Sequence, residues 1–586
     1  MKQFLITVAG VLVGGIVLIF LIPVFFIMMI ASSVHSAPPT PSAMVLSLDL
    51  RDEMTDQRGQ SPFSGFSGGH PALLDVLTRI DAARTDDHVK GIYIRAATQG
   101  MAPAVAEELR AALARFRSSG KFVIAHVQND GVRMSMPGYL AVAGADEVWL
   151  QETSEFQPMG LSAQLTFFGD TLQRYHVQAQ FETREEYKTA AAEFTDRGFT
   201  PAHREEMTGL INGLYDSMLA DIAADRKLTV QQVRTAVEST PFIAQRAVEL
   251  HFVDKLGRPE DAEAAARAKA NNAEIVEFDE YHPAAHHGGP VIAVVQGEGA
   301  IVTGGEEHDL FSDDQSMRSD VIARALLDAS EDKDVKAIVF RVSSPGGSVV
   351  ASDQILNALR TARQRGKKIV ISMGEVAASG GYYVSAEADE IIAEPTTITG
   401  SIGVLGGKLI IGGAMEHYLS AHTDSVQVGS PLVNMFSSDE PFTPAQRAAF
   451  AGFIDRAYVQ FIQLVANGRH MSVDQAHALA HGRVWTGQQA LERHLVDRLG
   501  GFSDAVARAQ ALAGIGANEQ VTLKYYPEVK NPFAAISRLF GVSAEDAQAL
   551  ARLNAAMGDP RVVRAMAAIR EEDANVRARA RDIEVE

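Results

Sequence analysis

Cysteine is absent from all 586 residues. That removes a cysteine nucleophile, thiolate zinc sites, iron–sulfur ligation and any disulfide framework, though it does not by itself assign a compartment. Positive charge is also in deficit, with 53 Lys and Arg against 73 Asp and Glu for a formal charge of −20. A broad phosphate-binding surface needs clustered basic residues, so no nucleic-acid partner is expected. A 46% share of hydrophobic residues excludes disorder, and a chain of this length can bury several cores without metals or disulfides. Charge is missing altogether between Lys2 and Asp49.

That uncharged interval holds an almost unbroken apolar run, Phe4 to Ala31. A spanning helix needs about 20 apolar residues, whereas a secretory signal core has about 7 to 15. Residues 4–31 therefore read as an uncleaved transmembrane anchor, and Lys2 on the short leading side favours a cytoplasmic N-terminus with an exported body. The bland alternative is a removed signal peptide, since Val34-His35-Ser36-Ala37 imitates a small-residue cleavage site.

Beyond the anchor the chain repeats itself. Asp87 to Arg95 aligns with Lys333 to Arg341, and Gly120 to Ala125 with Gly366 to Ile371, both at a lag of 246 residues (341 − 95). Further on, Phe199-Thr-Pro-Ala202 aligns with Phe442-Thr-Pro-Ala445 at a lag of 243 (442 − 199), so the first copy carries three extra residues between Gln128 and Met136. The expected organisation is an anchor (4–31), a first copy (44–280), a linker (281–290), a second copy (291–525) and a helical tail (526–586). In each copy, short β-rich apolar runs such as Val291 to Val295, Ala337 to Val342 and Lys368 to Ser372 alternate with amphipathic helical patterns at Asp320 to Glu331 and Ser352 to Gly366. Alternation of this kind implies an α/β fold of parallel β-α-β units.

The chemistry concentrates where the copies differ. Ser379, in Gly374-Glu-Val-Ala-Ala-Ser-Gly-Gly-Tyr-Tyr383, follows an expected strand and precedes a helical pattern. Its small neighbours allow close approach of a substrate backbone, and the Gly380 amide is suited to a developing oxyanion. Ser343-Ser-Pro-Gly-Gly-Ser348 offers a second amide, from Gly346 or Gly347. Taken singly, each stretch is equally an ordinary strand-to-helix turn. At the repeat lag, however, Met136 stands opposite Ser379, and Thr98 to Met101 stand opposite Ser344 to Gly347.

A serine nucleophile needs a base. None of the 17 histidines pairs with an acid beside this motif in the sequence, which leaves lysine as the other option. Lys188, in Arg184-Glu-Glu-Tyr-Lys-Thr-Ala-Ala-Ala-Glu193, has Pro431 as its counterpart in the second copy, so one copy keeps a lysine and the other a serine. An isolated lysine is ordinarily a solvated surface charge. To act as a base it must fall by roughly 3 pKa units from its reference value of about 10.4, which burial among residues such as Ala190 to Ala192 can supply. Glu185, Glu186 and Glu193 oppose that shift and are expected to point away.

The anchor, the duplicated body, Tyr187-Lys188-Thr-Ala, Ser344-Pro-Gly-Gly-Ser348, Ala377-Ala-Ser379-Gly-Gly-Tyr-Tyr and Thr399-Gly-Ser-Ile-Gly403 together resemble the long form of signal peptide peptidase A, also called protease IV. The resemblance covers nearly the whole chain. It implies two Clp-protease/crotonase-like β-α spiral domains behind the anchor, with Ser379 as nucleophile, Lys188 as general base and Gly380, Gly346 and Gly347 around the oxyanion. It also implies a homotetramer on the outer face of a bacterial cytoplasmic membrane that digests released signal peptides and other apolar peptides without a cofactor or metal. Ser401 is a candidate hydrogen-bonding partner for the neutral amine.

Two other readings stay open at this level: a crotonase-like acyl-thioester enzyme, and a catalytically inactive membrane scaffold. Gly65-Phe-Ser67-Gly-Gly69 matches a nucleophile elbow without the strand that an elbow requires. Ser118-Ser-Gly-Lys121 matches S-x-x-K but reads as a helix-to-strand turn, and His282, His286 and His287 read as solvated linker histidines.

Overall fold

The computed structural model describes residues 41–57, 71–98, 100–129, 134–283, 288–305 and 316–527. The expected anchor, the Val34 to Ala37 stretch, the Gly65 to Gly69 motif, His286, His287 and nearly all of the tail lie outside these residues. No described helix is long and apolar enough to cross a membrane.

Each copy is built around a largely parallel sheet. In the first, six strands run in the spatial order Lys255–Leu256, Glu147–Leu150, Phe122–Val127, Val89–Arg95, Met44–Asp49 and Glu274–Glu277, all in parallel pairs. The second has eight strands. Its main path is Val484–Thr486, Ile398–Gly400, Lys368–Ala378, Val335–Ser344, Val291–Glu298 and Thr522–Tyr526, with Glu390–Ala393 and Arg498–Leu499 branching from Lys368–Ala378. Helices cover both faces, which is why Ile338, Val339 and Phe340 are consecutive in sequence and all fully buried.

The repeat is visible in detail. Tyr139 Oη donates to Phe252 O, and 243 residues later Tyr382 Oη donates to Leu495 O, both at 2.8 Å. Arg226 pairs with Asp254 as Arg469 does with Asp497. Differences from the sequence reading fall at the ends of elements. The strand expected to stop near Ser372 continues to Ala378, because Ala377 and Ala378 pair with Thr399 and Gly400. The helix that follows the repeated Phe442-Thr-Pro-Ala445 runs Pro444–Gly468, capped by Thr443 and Gln446.

Many contacts join the copies, a shared strand pair and a buried ion-pair cluster among them. Gln178–Thr183 of the first copy pairs antiparallel with Leu405–Ile410 of the second, in the register Thr183 to Leu405 through Gln178 to Ile410. Arg341 is fully buried and ion-pairs with Asp56 and with Glu108 (2.6 Å), both from the first copy. Isolated, such an arginine would be prohibitively costly; here Ser372 Oγ (3.0 Å) and Met373 O (3.3 Å) take further donors.

Candidate active site

Ser379 sits where strand Lys368–Ala378 turns into the short helix Gly380–Ser385. Its backbone, at φ 52° and ψ −116°, occupies a region that costs a non-glycine residue about 1–3 kcal/mol. Two hydrogen bonds of 2.8 Å hold it there, from Ser379 N to Gly400 O and from Tyr383 N to Ser379 O.

Glycine is required beside it. Gly346, at φ 103°, lies so near that a Cβ would stand 2.6 Å from Gly380 N and 2.8 Å from Ser379 Cβ. Its own amide donates to Ser344 Oγ at 3.1 Å, which removes it from the oxyanion donors expected of this stretch. No described residue accepts a hydrogen bond from the amides of Gly347 or Gly380. A Cβ on Gly380 would lie 3.1 Å from Gly347 N, so the backbones of these two glycines run close together beside Ser379. Gly346 contributes by lacking a side chain.

Lys188 reaches this turn from the other copy. The pairing of Thr183 with Leu405 determines where the next few residues go: Lys188 is five residues past Thr183, and Ser401 four before Leu405. Lys188 Nζ lies 3.0 Å from Ser379 Oγ, 2.9 Å from Ser401 Oγ and 2.9 Å from Ser401 O. Ser401 is itself held in a left-handed conformation (φ 48°) with its amide on Arg483 O at 2.8 Å. Gly482 packs so tightly on the lysine that a Cβ there would come within 2.5 Å of Lys188 N, and a Cβ on Gly403 would come within 3.1 Å of Lys188 Cδ.

This enclosure leaves Lys188 only 8% exposed and, by stripping water from the ammonium, lowers its pKa to about 8. Ala191 and Ala192 are buried nearby. The carboxylate that opposes the shift is Glu206, which the sequence reading missed. It accepts from Val484 N at 2.8 Å, and burial pushes its own pKa up to about 7, so near neutrality part of its population is uncharged. Glu185 and Glu186 turn instead to His477 and His481. Those histidine–acid pairs were also invisible in the sequence, because the partners are nearly 300 residues apart.

A protonated Lys188 offers three N–H groups to three oxygens. Once neutral, it keeps two for Ser401 O and Oγ, and its lone pair is left facing the Ser379 hydroxyl.

Two stretches of the chain, residues 115–273 and 361–516, match the model of peptidase family S49. The chain belongs to that family. Residues 309–397 also match the Clp protease model, giving this S49 chain a Clp-like α/β fold in tandem. Protease 4 of Salmonella typhi is 33% identical over 478 residues, covering 78% of this chain and 74% of its own. Protease 4 of Haemophilus influenzae is 29% identical, covering 81% and 80%, and the chloroplastic serine protease SPPA of Arabidopsis thaliana 25%, covering 82% and 70%. Two S49 matches on one chain, with these relatives aligned over about four-fifths of it, assign the chain to the long signal peptide peptidase A/protease IV form of S49, a serine peptidase. The acyl-thioester and inactive-scaffold readings fall with that assignment.

Proposed function

We propose that this S49 peptidase is a membrane-anchored endopeptidase in which Ser379 is the nucleophile and Lys188 the general base, and that it degrades released signal peptides and other apolar, extended chains. The observation that carries the dyad is the 3.0 Å approach of a buried lysine, its pKa brought down to about 8, to the serine at a strained turn. Lys188 Nζ takes the hydroxyl proton as Ser379 Oγ bonds to the scissile carbonyl carbon, and the Gly347 and Gly380 amides hold the resulting oxyanion. As the C–N bond breaks, the leaving amine takes that proton from Lys188, leaving an acyl ester on Ser379. Water then adds with Lys188 again as base, and the proton returns to Ser379 Oγ as the acid product leaves.

Anchoring by residues 4–31 would set the body on the outer face of a bacterial cytoplasmic membrane, where signal peptides are left after release. Assembly as a homotetramer gains support from the repeat. Within one chain, strand Gln178–Thr183 finds Leu405–Ile410. The repeat-related segments, 421–426 and 162–167, belong to no strand, and Val426 is 97% exposed. A second chain bringing its residues 162–167 to 421–426 would reproduce the intrachain pairing head to tail, and such heterologous contacts make a ring when the rotation between chains closes.

Labelling of the full chain in detergent with a serine-reactive fluorophosphonate, followed by mass spectrometric mapping, tests the nucleophile: adduct is expected on Ser379 alone, and label elsewhere with Ser379 unmodified refutes it. Parallel digestion of a free signal peptide and its intact precursor tests the substrate. Cleavage within the apolar core of the free peptide only is expected; equal cleavage of both would leave a general exported protease.

A further inference from the structure

The loop that delivers Lys188 is tied to the second copy at both ends. Arg184 N donates to Val404 O at 3.1 Å and its side chain pairs with Asp455, while Tyr187 N donates to His481 O at 3.2 Å. Between these ties, Glu185 and Glu186 face helix Val473–Leu479 and the turn after it. His477 Nε2 lies 3.4 Å from one Glu185 oxygen, and His481 Nδ1 lies 3.5 Å from the other and 3.4 Å from Glu186. The two imidazoles are near neighbours, with centroids 4.9 Å apart, and Tyr458 stands edge-on to His477 at 5.9 Å.

The separations discriminate between two roles. A charge-assisted N–H···O bond closes to about 2.7–2.9 Å, as Arg226 does with Asp254 at 2.8 Å. None of the three histidine–carboxylate pairs closes so far. Four ligands at about 2.0–2.1 Å around a tetrahedral zinc ion, however, stand about 3.3–3.4 Å from one another, because a tetrahedron's edge is about 1.6 times its centre-to-vertex distance. Glu185, Glu186 and His481 each offer one donor atom within 4.8 Å of the other two, with His481 Nδ1 3.4–3.5 Å from both carboxylates and the fourth vertex left to water, while His477 stands outside that set against the other Glu185 oxygen. An imidazole with two carboxylates, and a second imidazole beside them, suits a borderline d-block cation rather than calcium or magnesium, which favour all-oxygen sets. The four side chains are between 28% and 52% exposed, so an ion can reach them from solvent.

We propose that Glu185, Glu186 and His481, with His477 holding the second Glu185 oxygen, form a site for one divalent d-block cation, zinc foremost, that clamps the lysine loop of the first copy onto the second. The bound ion would join residues two and three positions before Lys188 to the residue preceding Gly482, whose backbone packs on Lys188. It would stabilise the junction between the copies without touching the reacting atoms.

The test uses tag-free full-length protein in detergent, stripped with a chelator and titrated with zinc chloride by calorimetry, with unfolding midpoints measured with and without zinc. Wild type is expected to bind one zinc ion that the His477→Ala/His481→Ala double variant binds at least about 10-fold more weakly, and zinc should raise the midpoint of wild type only. A variant lacking the linker histidines His282, His286 and His287 should retain both effects. Matching zinc-free midpoints show that the double variant is folded; Glu185→Gln, which should lose most of the affinity, supplies the comparison if they do not match. Equal binding and equal zinc-induced shifts in wild type and variants would overturn the site, as would the absence of saturable binding to wild type.

Discussion

In the proposed dyad Lys188 must be neutral to accept the Ser379 proton, and burial brings its own deprotonation down to about pH 8. Peptidase activity should therefore rise with pH, half-maximal near 8, and Lys188→Arg should leave less than about a thousandth of it, because a guanidinium stays charged at every working pH. A pH–rate profile of both proteins checks this. The same burial costs stability. Between pH 8 and 10.5 the unfolded chain holds a proton on Lys188 that the native one lacks, so this group's contribution improves as pH rises through that window, and below pH 8 its full cost of about 3 kcal/mol applies. Lys188→Met should thus be inactive yet more stable at pH 7, by up to about 3 kcal/mol in urea unfolding. Ser379→Ala should lose activity just as completely while keeping its fold, because alanine retains the Cβ that the strained turn already accommodates.

At the scale of elements, one strand pair decides whether the two residues meet. Gly407, opposite Phe181, has no room for a side chain: a Cβ there would lie 2.3 Å from Gln180 O. Gly407→Val should part Gln178–Thr183 from Leu405–Ile410 and withdraw Lys188 from Ser379. Activity should fall about 100-fold or more, since displacement of a catalytic group by about 1 Å already has that effect, while circular dichroism should show both sheets intact. Unchanged activity would mean that the lysine loop is held by Arg184 and Tyr187 alone.

Across the whole molecule, the junction between copies buries carboxyl groups. Glu107 and Glu298 are pushed up to about 7 by burial, as is Glu206 beside the lysine, whereas burial lowers His126 to about 4. Between about pH 5 and 7 the native state holds three carboxyl protons that the unfolded state has released, and lacks one imidazole proton that the unfolded state holds below about pH 6.5. The native state is the net proton binder, so stability should rise as pH falls from 7 toward 5. Unfolding midpoints at pH 5.5 and 7.5 measure it; a higher midpoint at 7.5 would contradict the assignment. Assembly gives a second prediction at this scale. Val426→Pro removes an amide from the segment proposed to pair between chains, and should convert a tetrameric mass into a monomeric one by light scattering.

The duplication, the α/β alternation and the complementary loss of serine from one copy and lysine from the other are all written in the sequence, because repeat lag and hydrophobic period survive as local patterns. Ser379 and Lys188 could be singled out for that reason alone. Their 3.0 Å approach could not, since it depends on the pairing of Thr183 with Leu405, some 220 residues away. The lysine's lowered pKa likewise comes from its enclosure by Gly403 and Gly482 of the other copy. Tertiary structure also separated Gly347, with its amide unspent, from Gly346, whose amide is bound by Ser344, and it brought Glu206 toward Lys188 and His477 and His481 to Glu185 and Glu186. Desolvation and hydrogen bonding act between groups that folding brings together, and residues hundreds of positions apart leave no periodic trace of such meetings in a single chain.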